Sequence, residues 1–184
     1  MMDSEKALID GCCKGDRKAQ KQLFDLYSKK MMVVAMRYSK SDQEAEDILQ
    51  ESFIKIFEKI KTFRGESRLD FWVKRIVINT ALNHQRSKLY LFPMVDVHEL
   101  NFSEESTFSL ADFHFRELLK MIQELPSGCQ VIFNLFAVEG YSHKEIAQLL
   151  NISEGTSKSQ YARAKSLLRD KIETEEKISY GNAR

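Results

Sequence analysis

The sequence predicts an all-α protein of two small helical domains joined by an acidic linker. Three observations predict it. Apolar residues recur at helical spacing along nearly the whole chain, and no alternating run marks a strand. Only two prolines occur in 184 residues, Pro93 and Pro126, and neither interrupts a strongly periodic segment. Residues 89–111, "LYLFPMVDVHELNFSEESTFSLA", break the periodicity, contain Pro93 and carry no Lys or Arg. Domains are therefore expected at 1–88 and 112–184, with the linker at 89–111.

Within the first domain the apolar spacing predicts helices at 3–13, 16–39, 43–61 and 67–88. The second should hold helices at 112–124, 127–139, 142–150 and 154–172. Three starts match a capping box, in which a Ser side chain accepts a free N–H and an acid or amide three residues on reciprocates. They are Ser41 with Glu44, Ser127 with Gln130, and Ser142 with Glu145.

Hydrophobic residues make up 43% and charged residues 30% of the chain, a globular composition. The formal net charge of +1 conceals an uneven distribution. Residues 1–88 carry 18 Lys and Arg against 13 Asp and Glu, whereas 89–112 carry none against 5. Thr156–Lys171 carries 5 against 1. Two basic patches flank an acidic connector.

Several chemistries are excluded. Cys12, Cys13 and Cys129 form neither a disulfide framework nor a zinc spacing. The four histidines, His84, His98, His114 and His143, have no acidic or Cys partner at ligand spacing. No nucleophile–base pair or Gly-rich phosphate loop is present, so neither an enzyme nor a bound cofactor is expected. The start, "MMDSEKALID", lacks a long apolar core, and no stretch approaches a membrane span. A cytoplasmic protein without membrane insertion is expected.

Helix 43–61 carries an apolar stripe through Ala45, Ile48, Leu49, Phe53, Ile56, Phe57 and Ile60. Asp47, Gln50 and Glu51 form a compact acidic face near its start. Helix 67–88 offers Leu69, Trp72, Val73, Ile76 and Ala81 to a core. Its other side presents Arg68, Arg75, Asn79, Asn83 and Arg86 at spacings of three, four or seven. Guanidinium and carboxamide groups suit phosphates and base edges. Phe63 and Phe71 bring aromatic surface on which unstacked bases could sit.

In the second domain Ser142 caps a helix whose Ile146, Ala147, Leu149 and Leu150 supply an apolar stripe. Asn151 suits a turn, Ile152 anchors it, and Ser153 caps the next helix. There Tyr161, Ala164, Leu167 and Leu168 are expected to face inward. Thr156, Lys158, Ser159, Gln160 and Arg163 should face outward. This is the layout of a helix-turn-helix, whose second helix enters a major groove. A helical hairpin with a solvated charged face remains the alternative. A stand-alone DNA-binding regulator would also use this domain, but gives no reason for the acidic face at Asp47–Glu51.

"DILQESFIKIFEKIKTFRGESRLDFWVKRIVINTALNHQR" resembles region 2 of bacterial RNA polymerase sigma factors. "LPSGCQVIFNLFAVEGYSHKEIAQLLNISEGTSKSQYARAKSLLR" resembles their region 4. Two domains with a short linker and no larger middle domain resemble the extracytoplasmic-function (ECF) group.

The resemblance implies a sigma factor that recruits core RNA polymerase and opens promoter DNA. Asp47, Gln50 and Glu51 match the face that binds the coiled-coil clamp of the β′ subunit; the β flap is a second implied contact. Phe63, Arg64, Arg68 and Phe71, with Arg75, Asn79, Asn83 and Arg86, match the loop and helix that melt and read the −10 element. Thr156, Lys158, Ser159, Gln160 and Arg163 match the helix that reads the −35 duplex. An anti-sigma factor is an implied partner, and the linker would thread the RNA exit path. The sequence departs from the family at three positions: Asn83 replaces a frequent Asp, Ser157 a common Val, and Gln160 a common Arg. A weaker anchor is expected at Ser157.

Overall fold

The structure, a computed structural model, describes residues 2–89 and 115–181. The chain divides into two compact units, one ending at Arg86 and the other beginning at Ser87. The linker expected to dock or thread, 89–111, lies outside the described residues beyond Leu89. Its Asp96, Glu99, Glu104 and Glu105 are among them.

The first unit holds α1 (Met2–Cys13), α2 (Arg17–Tyr38), α3 (Asp42–Lys59) and α4 (Leu69–Leu89), with a 3-10 turn at Ile60–Thr62. Gly15, at φ 76°, takes the left-handed conformation that glycine adopts at no steric cost and reverses the chain after α1. Asp16 then accepts from Lys18 N–H at the N-cap of α2. Leu8, Leu23, Ala35, Ile48, Phe53, Ile56, Leu69 and Val73 pack into the core. Burying a side chain of this size contributes about 1.5–3 kcal/mol.

Two polar features tie the helix ends together. Ser41 accepts from Glu44 N–H at 3.2 Å, but Glu44 Oε2 reaches back to Lys40 N–H at 2.7 Å. The predicted capping box thus forms with its return bond shifted by one residue. Gln85 of α4, fully buried, donates to the Tyr38 carbonyl at 2.7 Å. It satisfies a carbonyl that the end of α2 leaves without an intrahelical partner.

The second unit holds α5 (Phe115–Gln123), α6 (Ser127–Phe133), α7 (His143–Leu150) and α8 (Glu154–Gly181). Met121, Ile122, Leu125, Cys129, Phe133, Ala164, Leu168 and Ile172 form its core. Here the structure corrects two expectations. Ser127 is no N-cap: Pro126, at φ −51° and ψ 142°, occupies that place without a side-chain cap. Ser127 is drawn into the helix and buried. The segment predicted as one helix to 139 instead changes to a π-helical turn at Asn134–Val138. Finally, α8 runs nine residues past the expected end at 172. No Pro or Gly lies between Glu173 and Tyr180 to interrupt the extension. Lys171 pairs with Glu124, and Ile172 is anchored in the core.

Candidate nucleic-acid interface

Along α4, Phe71, Arg75, Asn79 and Asn83 are all exposed, while Leu69, Val73, Val77, Thr80 and Ala81 are buried. Spacings of four residues keep the polar set on one slowly turning stripe. Arg68 and Arg64, in the loop before the helix, are also exposed. The Arg86 side chain lies outside the described residues.

The loop is held by aromatic contacts. Half-buried Phe63 meets half-buried Trp72 edge-on at 5.5 Å between centroids. Trp72, expected in the core, therefore sits at its edge. Phe71 leaves 56% of its surface exposed, and the Arg68 guanidinium lies over its ring at 5.4 Å. Asp70 holds Arg68 from the side at 2.7 Å. A large exposed ring contributes little to the fold, whereas it offers a base a stacking surface.

A cleft of about 300 Å³ opens between α2 and α4, lined by Lys30, Met31, Val34, Arg37, Phe71 and Lys74 among others. Sequence reading missed this basic lining because Lys30 and Arg37 belong to a helix remote in sequence.

On α3, Asp47 and Gln50 are exposed and Glu51 is half-buried. Ile54 continues the same face with 59% of its surface exposed. It was not anticipated, although its place four residues after Gln50 on a polar face was visible. Glu51 is not a bare carboxylate: Lys55 Nζ contacts Oε1 at 2.6 Å, and His84 Nε2 on α4 bonds Oε2. The Lys55 hydrogen bond, then that of His84, hold its carboxyl below the ordinary range.

In the second unit the helix-turn-helix is built from local chemistry. Ser142 forms the complete predicted capping box with Glu145 at the start of α7. Asn151 ends that helix in the left-handed conformation, at φ 56° and ψ 50°, which Asn tolerates unusually well. Ser153 Oγ accepts from Thr156 N–H at 2.9 Å and meets the Thr156 hydroxyl at 2.8 Å. Lys158 is exposed and pairs with Glu154 at 2.8 Å, while Ser159 and Arg163 are half-buried at the helix edge.

Gln160 departs from its expected outward placement. It is half-buried, and the Cys129 thiol donates to its Oε1 at 3.0 Å. Ser157 and Ala164 flank it on the buried side, so helical geometry turns its amide oxygen inward. Lys165, absent from the sequence reading, is exposed above the Tyr161 ring at 5.5 Å.

Ser157 itself is fully buried. In place of an aliphatic pin it makes a polar one, with His143 Nδ1 at 2.9 Å from its hydroxyl. The imidazole stacks on Phe136 at 4.2 Å and an interplanar angle of 13°. Burial, then the Lys158 charge, lower the His143 pKa from its ordinary 6.5, partly opposed by Glu154.

Comparison with known proteins agrees with this geometry. Residues 23–89 match the sigma-70 region 2 family, and residues 115–168 match sigma-70 region 4. The ECF RNA polymerase sigma-E factor of Haemophilus influenzae is 29% identical over 182 residues, spanning 92% of this chain and 96% of the relative. The RNA polymerase sigma-H factor of Pseudomonas aeruginosa is 28% identical, spanning 90% and 92%. Among solved structures, the sigma factor RpoE of Bartonella quintana, in complex with the anti-sigma factor NepR, shares the fold. Its TM-score is 0.52 at 22% identity, with 83% of this chain and 96% of that chain covered. The chain belongs to the sigma-70 family, as an ECF sigma factor that directs promoter-specific transcription.

Proposed function

We propose that the two units divide the work of promoter recognition. The stripe on α4, with its Arg68–Phe71 loop, captures the unpaired −10 strand. The helix-turn-helix reads the −35 duplex through Lys158, Ser159 and Arg163, with Thr156 and Gln160 beside them. The face of Asp47, Gln50, Glu51 and Ile54 docks on a basic helical element of core polymerase, as the family's β′ clamp contact does. No covalent step belongs to the chain itself.

The observation that carries this reading is the pairing of two dissimilar faces in one unit. An exposed aromatic and amide stripe suits single strands, while the acidic face beside an exposed isoleucine suits a protein partner. A stand-alone regulator would need neither. The solved relative bound to an anti-sigma factor supports an anti-sigma partner for this chain as well.

Reconstitution with core polymerase on a candidate promoter tests the proposal. It requires promoter-dependent transcripts and permanganate-reactive thymines over the −10 element. Core polymerase that behaves identically with and without the chain would overturn it.

A further inference from the structure

His143 is the first residue of α7, directly after the Ser142 cap. Its ring is fixed on several sides. Phe136 stacks on one face, Tyr161 tilts against it at 5.8 Å, and Ser157 engages Nδ1. The two ring nitrogens point in widely diverging directions, so Nε2 is aimed away from Ser157. In a helix-turn-helix on duplex DNA, the first helix crosses the phosphate backbone. The start of α7 carries His143 beside exposed Lys144, and exposed Lys158 lies close on α8.

We infer that His143 is a proton-linked phosphate contact: Nε2–H donates to a DNA phosphate, and duplex binding adds a proton to the ring. The inference rests on the helix-turn-helix reading above and assigns its first helix a role in that site.

The proton balance follows from the surroundings. In the free protein, α8 presents Lys158 and Glu154 to the ring, together with the Tyr161 side chain. The ring's own helix adds Lys144 and Glu145, and Glu145 is held by the Ser142 cap. The π-helical turn contributes the Phe136 ring, and the acidic Glu139 follows at its end. Burial and Lys158 favour the neutral imidazole at neutral pH. A phosphodiester supplies the negative charge that Glu154, paired with Lys158, provides incompletely. As imidazolium, His143 donates from both nitrogens at once, Nδ1–H to the Ser157 hydroxyl and Nε2–H to phosphate. The proton comes from solvent, so one is taken up for each complex formed.

A phosphate contact carries no base information, so the probe is a labelled mixed-sequence duplex at low, fixed ionic strength. Binding to the full chain is followed by anisotropy from about pH 8 to about pH 6, the range histidine covers. Circular dichroism at each pH checks that the fold persists. Log K for the wild type should rise by up to about 1 per pH unit inside the titration window. The salt slope should steepen by about 1 at the acid end. His143→Gln, which keeps an amide donor but cannot titrate, should lose the rise, whatever its affinity at high pH. Calorimetry in two buffers of different ionisation enthalpy should show proton uptake by the wild type alone. A flat wild-type profile, or a rise that survives in His143→Gln, overturns the inference while leaving the helix-turn-helix reading intact. Absence of duplex binding at every pH overturns both.

Discussion

The Glu51 carboxylate on α3 is bonded by His84 on α4, joining the acidic face to the helix that carries the aromatic and amide stripe. Lys55 holds its other oxygen. Because these partners lower the Glu51 pKa below 4.5, the unfolded chain binds its proton more readily than the folded chain. The resulting stability is fully present above the unfolded value and is lost as pH falls through the folded one. The Glu51 side chain keeps 42% of its surface exposed, so solvent screening keeps the contribution small. In Glu51→Gln, acid unfolding monitored by circular dichroism should show a shallower loss of stability below about pH 4.5. An unchanged profile would mean that the ion pairs carry no net stability.

The same face is predicted to meet polymerase. Asp47→Lys combined with Glu51→Lys should abolish co-purification with core polymerase while helicity is retained. Ile54→Asp should weaken that affinity by about tenfold or more, on the order of 1.4 kcal/mol, without lowering Tm. Its side chain is already in water, so the fold loses little. Wild-type affinity in both variants would remove the contact from this face.

Single-strand capture predicts a different separation. Phe71→Ala should cost about 1–3 kcal/mol in binding a −10 non-template oligonucleotide, the usual worth of one stacked base. Asn79→Ala should also weaken that complex. Polymerase binding should be normal in both. Equal oligonucleotide affinity for the variants counts against a base site on α4.

On α8 the prediction turns on which side chains reach outward. Arg163→Ala should cost about 1–3 kcal/mol and relax preference at one −35 position. Lys158→Ala should weaken all duplexes alike and reduce the salt slope by about 1. Gln160→Ala, by contrast, should lower the thermal stability of the second unit, because it removes the bond from the Cys129 thiol to Gln160 Oε1 and the packing of a half-buried side chain. A change in base preference with unaltered stability would instead mean that Gln160 swings out onto DNA.

Gly11 tests the packing of α1 on α2. A Cβ built there would lie 2.7 Å from Ala19 Cβ, which real side chains do not tolerate. Gly11→Ala should destabilise the first unit by about 1–3 kcal/mol through overpacking, despite alanine's better helix propensity. The urea midpoint should fall at unchanged slope. Ala19→Gly introduced alongside should restore part of it. A midpoint that does not fall would show that the helices separate without cost.

What the sequence determined by itself was set within a few residues. Helical periodicity placed eight helices, because a face buried against a neighbour must repeat every turn. The Ser142–Glu145 box and the left-handed Asn151 follow from side chains bonding their own backbone. The outward placement of Arg75, Asn79 and Asn83 on α4 was legible because the other side is mostly apolar. Leu69, Val73, Val77 and Ala81 are buried there, with only Thr80 and Gln85 as buried polar exceptions among the described residues of that helix. Tertiary structure decided the rest. Pro126 took the N-cap place that Ser127 matched on paper, since its extended backbone met the helix start first. Cys129 and Gln160 are 31 residues apart, His143 and Ser157 are 14 apart, and Glu51 and His84 are 33 apart. No periodicity announces such pairs, because each bond forms only after two helices have packed and brought particular atoms within reach. The helix-turn-helix could thus be read from the chain, whereas its polar pin, and the inward turn of Gln160, came from the fold.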